Sequence, residues 1–392
     1  MRSRSILMQS RRQLLGTMGA AGAAALLSGS LFPARGYAQG AADPRIAGII
    51  ADTISVDMHN HVRAPEFTKN PADAKPDPVG VDLPGKMKEA GWSAVCFTYA
   101  VDGYRSPELG EWYLRHLHAL AYTDRLLKQT GMKRALTIAD LKAAHAAKTP
   151  IVIQNTEGAH WIEGHIERVE ESYKRGMRHI QLVHQMNDLV SSIGGVQQLL
   201  QPTGAAEKYK SPPVADLTKF GGDVIKECNR LGIVVDMAHG QEKTVLSALK
   251  VAQQPLVVSH TGLNTPRALT ARNYVNNPGL AARLVSKDYA KAVADAGGIV
   301  GIWHIFPTMK DYVTGLKEMV DVVGADHTGI GTDTAIAPLP TANAEAGTWP
   351  DQKGGFLYAV VGEMLAQGFR PDEISKIIGG NYVRIFEKVT SR

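Results

Sequence analysis

The 392-residue chain predicts an α/β protein, a (β/α)8 barrel of TIM type, on three observations. Short β-branched runs alternate with helical patterns from residue 52 onward, the runs number eight, and nearly all of them close on a histidine or a carboxylate. The runs cover 54–59, 93–100, 150–157, 179–184, 233–239, 256–260, 299–304 and 328–333. Their continuous apolar character suits strands buried on both faces, which means a parallel sheet. Between them, 217–231, 243–252 and 287–296 space apolar residues three and four apart, as helices lying on such a sheet require. Eight units of this kind in about 340 residues make a barrel with long loops.

No Pro/Ser linker or charge block divides residues 39–392, so they read as one barrel domain. A hydrophobic content of 44% with 21% charged residues excludes disorder and fibrous repeats. The net charge of +5 suggests an acidic partner until the charges are located. Arg2, Arg4, Arg11, Arg12 and Arg35 lie in the first 38 positions, which hold no acid; without them 38 basic residues face 38 acidic ones. Nucleic acid therefore has no electrostatic support as a partner. Residues 1–38 read as a twin-arginine signal peptide: an Arg-rich start, the run Ser10-Arg11-Arg12-Gln13-Leu14-Leu15, a weakly apolar stretch to Leu31, and small residues near Gly36-Tyr37-Ala38. That stretch is broken by Gly and Ser and falls short of the roughly 20 apolar residues a span needs. The expectation is export by the twin-arginine machinery to the periplasm, with no membrane span in the mature chain. Cys96 and Cys228 admit either a disulfide or two buried thiols.

The polar ends of the runs carry the functional signal. They are His59, Glu157, His184, His239, His260 and Asp333, with His304 closing a seventh run. In a barrel such ends converge on one face. Burying that many titratable groups costs several kcal/mol each unless they share metals or pair with one another. Neutral imidazoles with a carboxylate suit zinc or a similar divalent ion. His59 and His61 are alternate residues at a strand end and point the same way, so His61 is expected to ligate beside His59. His160, His165 and His179 read as surface or helix residues, and His116, His118 and His145 as the polar faces of helices.

The order and spacing of several motifs resemble the renal or membrane dipeptidase family. They are Asp57-Met58-His59-Asn60, Glu157-Gly158, His184 with Asn187, Leu217-Thr218-Lys219-Phe220-Gly221 leading to Asp236-Met237-Ala238-His239, Ser259-His260, Arg272-Asn273, Gly329-Ile330-Gly331-Thr332-Asp333 and Gly379-Gly380-Asn381-Tyr382. The resemblance implies a zinc-dependent barrel with two ions, another divalent ion being open. His59 would hold one ion, His239 and His260 the other, and Glu157 would bridge them with one oxygen to each. A hydroxide shared by the ions would attack the amide carbonyl of a dipeptide or N-acyl amino acid, a small-molecule substrate. His184 would then steady the oxyanion and contact the substrate, Asp333 would carry the proton to the leaving amine, and Arg272 would clamp the substrate carboxylate. Asp57 and Asp236 would orient the ligand rings or cap the barrel layer.

Two departures stand out. The family usually has Asp where this chain has His61, which removes one negative charge from the first ion's ligands. That should weaken its binding and sharpen it as a Lewis acid. His304 has no family counterpart and is expected to support a ligand or touch substrate. Both changes leave a non-peptide ester, lactone or specialised metabolite as the alternative substrate. Residues 190–213 and 335–355 are expected to roof the pocket, and a homodimer is left open.

Overall fold

Nine strands form one parallel sheet in the computed structural model: β1 Val56–Val62, β2 Ala94–Ala100, β3 Ile151–Glu157, β4 His179–Gln181, β5 Val234–Asp236, β6 Val257–Thr261, β7 Ile299–Ile302, β8 Thr328–Ile330 and β9 Thr334–Ala337. The structure describes residues 43–62, 82–102, 109–185, 193–197, 214–271, 281–337, 349, 351–352 and 354–391. Strands β1 to β8 neighbour one another in chain order, and β9 pairs with the free edge of β1. This is the TIM-type barrel that the sequence predicts, with one change in its last stave. The run at 328–333 leaves the ladder at Ile330, turns through Gly331, Thr332 and Asp333, and resumes as β9. The turn itself bonds to β1: Asp333 N donates to His59 O at 3.0 Å, and Thr332 N to Asp57 Oδ1 at 2.9 Å. Strands β8 and β9 are thus one interrupted stave, and eight staves ring the barrel.

The runs ending in His184, His239 and His304 also stop short, since β4, β5 and β7 end at Gln181, Asp236 and Ile302. Their histidines stand just beyond the ladder, and after β5 a side chain takes over backbone groups. Asp236 Oδ1 accepts from Ala238 N at 2.9 Å and from Ser259 N at 3.0 Å, so one carboxylate ties the ends of β5 and β6 together.

Side chains alternate across the staves. Val56, Met58, Ala94, Cys96, Ile151, Ile153, Val257 and Ile299 fill the barrel, while Val95, Phe97, Val152, Val258 and Val300 face the helices. The last helix, Asn381–Thr390, packs Tyr382, Ile385, Phe386 and Val389 against the inner set at the strands' N-terminal end. The helix Lys219–Leu231 starts where Thr218 Oγ1 accepts from Gly221 N at 2.9 Å, and it buries Val224, Ile225 and Cys228. Lys287–Asp295 starts in the same way at Ser286 and buries Tyr289, Ala290 and Val293. The helix Glu242–Val251 fills the place expected for 243–252.

Several expectations are corrected here. His179 is no surface residue: it opens β4 fully buried, with Nδ1 2.9 Å from the Tyr382 hydroxyl and Nε2 3.3 Å from Asp236 Oδ2. His116 is buried too, stacked on Trp161 at 3.9 Å and bonded to Tyr99 and Ser172. Its helix, Glu111–Thr130, turns that face inward because the opposite layer offers aromatic surface and two hydroxyls. His160 is buried beside Trp112, whereas His165 is exposed and paired with Glu167. Cys96 and Cys228 are both buried and free, one inside the barrel and one on an outer helix, so they form no disulfide. The chain divides into Met1–Gly40, outside the described residues, and the compact unit Ala41–Arg392. No described helix is long and apolar enough to cross a membrane. Most of 190–213 and 335–355 lies outside the described residues.

Candidate metal centre

The C-terminal rim of the barrel gathers its ligands through four local devices. On β1, Asp57 accepts from His59 N at 3.2 Å, Asn60 Nδ2 at 3.0 Å and Thr332 Oγ1 at 2.7 Å. It thereby braces the backbone that carries His59 and His61 and leaves their rings alone, as Asp236 does for the ends of β5 and β6; neither orients a ligand ring directly. Glu157 ends β3 and is followed by Gly158 at φ +80°, where a Cβ would lie 2.5 Å from His160 Nδ1 and 3.1 Å from His184 Cβ. Only glycine fits that turn, which explains the Glu-Gly pair. His239 and Asp333 sit at φ +68° and +56°, a left-handed backbone that is uncommon outside glycine and recurs at functional sites. Gln197 N donates to His239 O at 2.7 Å, so the segment 193–197 holds the first of these strained turns.

Around Glu157 the distances fall in a narrow range. Its Oε1 lies 3.2 Å from His239 Nε2, 3.5 Å from His260 Nε2, 3.3 Å from His184 Nε2 and 3.7 Å from His59 Nε2. Its Oε2 lies 3.5 Å from His61 Nε2. His239 and His260 bring their Nε2 atoms within 3.0 Å of each other. Two donors bound to one tetrahedral zinc at 2.0–2.1 Å stand about 3.3 Å apart, so these separations suit a shared cation. His59, His61, Glu157 and Asp333 make one group of donor atoms within 4.8 Å of one another, and Glu157, His184 and His239 make a second. Glu157 belongs to both.

Protonation suits the same occupant. Burial, with His260 adding to it, drives His59 well below the ordinary imidazole value; burial and Arg283 do the same to His239. Both rings are neutral. Glu157 is held well below the usual carboxylate range: burial opposes this, and the neighbouring His184 outweighs it. Among the described residues neither ring nitrogen of His59 has a hydrogen-bond partner, and Nδ1 of His239 has none. The Nε2 of His59, buried beside Glu157 and left this way, costs free energy unless a cation takes its lone pair. His260 Nδ1 meets Ser259 Oγ at 2.8 Å, which fixes Nε2 as its outward nitrogen. The residues present fit a divalent metal site.

His61, about a quarter exposed, bonds through Nε2 to Asp333 Oδ1 at 2.9 Å. His304 packs its ring on Trp349 at 3.9 Å and does not line the cavity over the donors. Arg272 lies outside the described residues. Two residues escaped the sequence reading. Arg283, 7% exposed, stacks its guanidinium 3.7 Å above the Trp303 ring, reaches to 3.6 Å from Asp333 Oδ2 and lines the cavity. No local pattern marks it. Asp102 bonds to His184 at 2.6 Å; its signal was legible, since it stands two residues past the one run without a polar end.

Paired donor groups sharing a carboxylate, set on the C-terminal rim of a barrel, define a metal-dependent hydrolase. The chain belongs to the membrane dipeptidase family, peptidase family M19, whose model matches residues 44–392. It is a metallo-dipeptidase-like hydrolase. Among solved structures it is similar to an amidohydrolase from Pseudomonas aeruginosa, with 19% identity over 88% of this chain and 99% of that one and a TM-score of 0.66. It is also similar to the metallopeptidase dipeptidase AC of family M19, with 21% identity, 87% and 99% coverage and a TM-score of 0.64. A third is a metallopeptidase from Rhodobacter sphaeroides, solved with a phosphinate mimic of the dipeptide L-Ala-D-Ala, with 22% identity, 86% and 100% coverage and a TM-score of 0.64.

Proposed function

We propose that this hydrolase cleaves the amide bond of a dipeptide or N-acyl amino acid, using two divalent ions of the zinc type. The observation that carries the reading is that Glu157 belongs to two groups of donor atoms, one with His59, His61 and Asp333 and one with His184 and His239. Bound divalent ions supply Lewis-acid polarisation of a carbonyl and a lowered pKa for water. The chain's own groups do the rest. Burial disfavours the His184 cation, but the Asp102 and Glu157 carboxylates outweigh it and push its pKa up to about 9, so it donates to a developing oxyanion at neutral pH. Burial would likewise raise Asp333, but His260, His61 and Arg283 hold it well below the usual carboxylate range. It is ionised and placed to take a proton from water and pass it to the leaving amine. Arg283, stiffened by Trp303, presents its fork to the substrate carboxylate in a cavity of about 340 Å3, large enough for a dipeptide.

The test is elemental analysis of the purified protein with a panel of dipeptides, N-acyl amino acids, esters and lactones. Two zinc-type ions per chain and amino-acid release are expected, with Glu157→Gln losing bound metal and on the order of 10²–10³ in rate. Turnover of esters or lactones alone would reject the amide reading. The run Ser10-Arg11-Arg12 supports export to the periplasm by the twin-arginine route. Cell fractionation of an Arg11→Lys/Arg12→Lys variant should find the protein retained in the cytoplasm; export unimpaired by that change would reject this route.

A further inference from the structure

Asp102 is the buried carboxylate of the rim that the chemistry above uses only as a charge beside His184. Its side chain is fully shielded, and its two oxygens are divided between a ring and a backbone. Oδ1 accepts from His184 Nδ1 at 2.6 Å; Oδ2 accepts from Gln185 N at 3.2 Å and lies 3.8 Å from His160 Nε2. One rigid group therefore grips both the imidazole of His184 and the peptide that follows it.

The chemistry of the contact sets the ring. An ionised carboxylate only accepts, so the hydrogen on Nδ1 of His184 is obligatory whatever the second nitrogen carries. Nε2 is then the nitrogen turned to the cavity, 3.3 Å from Glu157 Oε1. Because the Gln185 bond anchors the same carboxylate to the chain, the ring can neither flip nor swing without breaking a short buried bond.

We propose that Asp102 is a positioning residue for the hydrolysis: it locks His184 with Nδ1 protonated and aims Nε2 at the oxygen of the scissile carbonyl. The inference deepens the amide-hydrolase reading and rests on it for the reaction, though not for the state of the ring.

The experiment uses the full metal-loaded enzyme as wild type, Asp102→Asn, His184→Ala and the double variant. Asp102→Asn keeps the shape and lets the amide rotate, so its NH2 can face Nδ1–H and deprive it of its acceptor, and the ring loses the bond that aims it. Its kcat on the best dipeptide should fall about 10- to 100-fold with KM nearly unchanged, and its metal content should equal wild type. In the His184→Ala background the same change should cost no further activity, since the two residues act as a unit. An equal loss in that background, or a loss of bound metal, would assign Asp102 to general scaffolding and overturn the proposal. A second readout needs no turnover: in 15N-histidine spectra, the signal that vanishes in His184→Ala should report Nδ1–H in wild type and change in Asp102→Asn. A wild-type His184 protonated only at Nε2 would refute the idea even if Asp102→Asn failed to fold. A protein that hydrolyses no amide would refute the function while leaving the nitrogen spectrum to decide Asp102.

Discussion

His61 decides how this centre differs from the pattern its family resemblance implies. Burial disfavours its cation, yet the Asp333 hydrogen bond and the Glu157 carboxylate raise its pKa above the ordinary value. When protonated, the imidazole is a counter-charge for two carboxylates. Restoring the family carboxylate by His61→Asp would set three acids together, with His61 now 2.9 Å from Asp333 and 3.5 Å from Glu157. Like charges at such range oppose ionisation and folding until a cation neutralises them. The chelator-treated variant should melt below chelator-treated wild type, and zinc should raise its melting temperature by more than it raises that of wild type. Equal zinc shifts in the two proteins would show that His61 lies outside the ions' reach. The neighbouring left-handed backbone at His239 and Asp333 is tolerated because Gln197 and β1 hold it in place.

At the scale of elements, the staves approach one another so closely in places that a single methyl group decides the packing. A Cβ on Gly301 of β7 would stand 1.9 Å from Ser259 O and 2.4 Å from Met58 Cε. Ser259 precedes His260, whose Nε2 lies 3.5 Å from Glu157 Oε1, so pushing its carbonyl displaces the donor cluster as well as the sheet. On the helix Pro44–Asp52, by contrast, Gly48 is exposed and a Cβ there meets nothing within 4 Å. Gly301→Ala should therefore destabilise by several kcal/mol and reduce bound metal, by the overpacking and displacement of a well-filled core. Gly48→Ala should stabilise by about 0.5–1 kcal/mol, since alanine loses less backbone freedom in a helix. Denaturant melts of both variants check the pair; a Gly301→Ala protein as stable as wild type would mean that β6 and β7 can part without loss.

Across the whole molecule, packing buries both thiols. Burial pushes Cys96 and Cys228 well above the ordinary thiol range, and they occupy different layers. A thiol reagent should modify neither in the native protein and both in guanidinium, and reductant should leave the melting temperature unchanged. Rapid native labelling would contradict the packing described. What the sequence determined by itself follows from local chemistry. Eight apolar runs specify eight staves, and a polar residue at the end of a run specifies the rim, because a strand buried on both faces carries a titratable group at least cost where its ladder ends. That is why His59, Glu157, His184, His239, His260 and Asp333 were legible. The tertiary structure alone decided which other groups join them. Arg283 is set among them by the Trp303 ring, and His116 and His179 are turned inward by aromatic and hydroxyl partners from distant elements. Such residues carry no periodic mark, since their burial is repaid only by contacts that exist once the staves have closed.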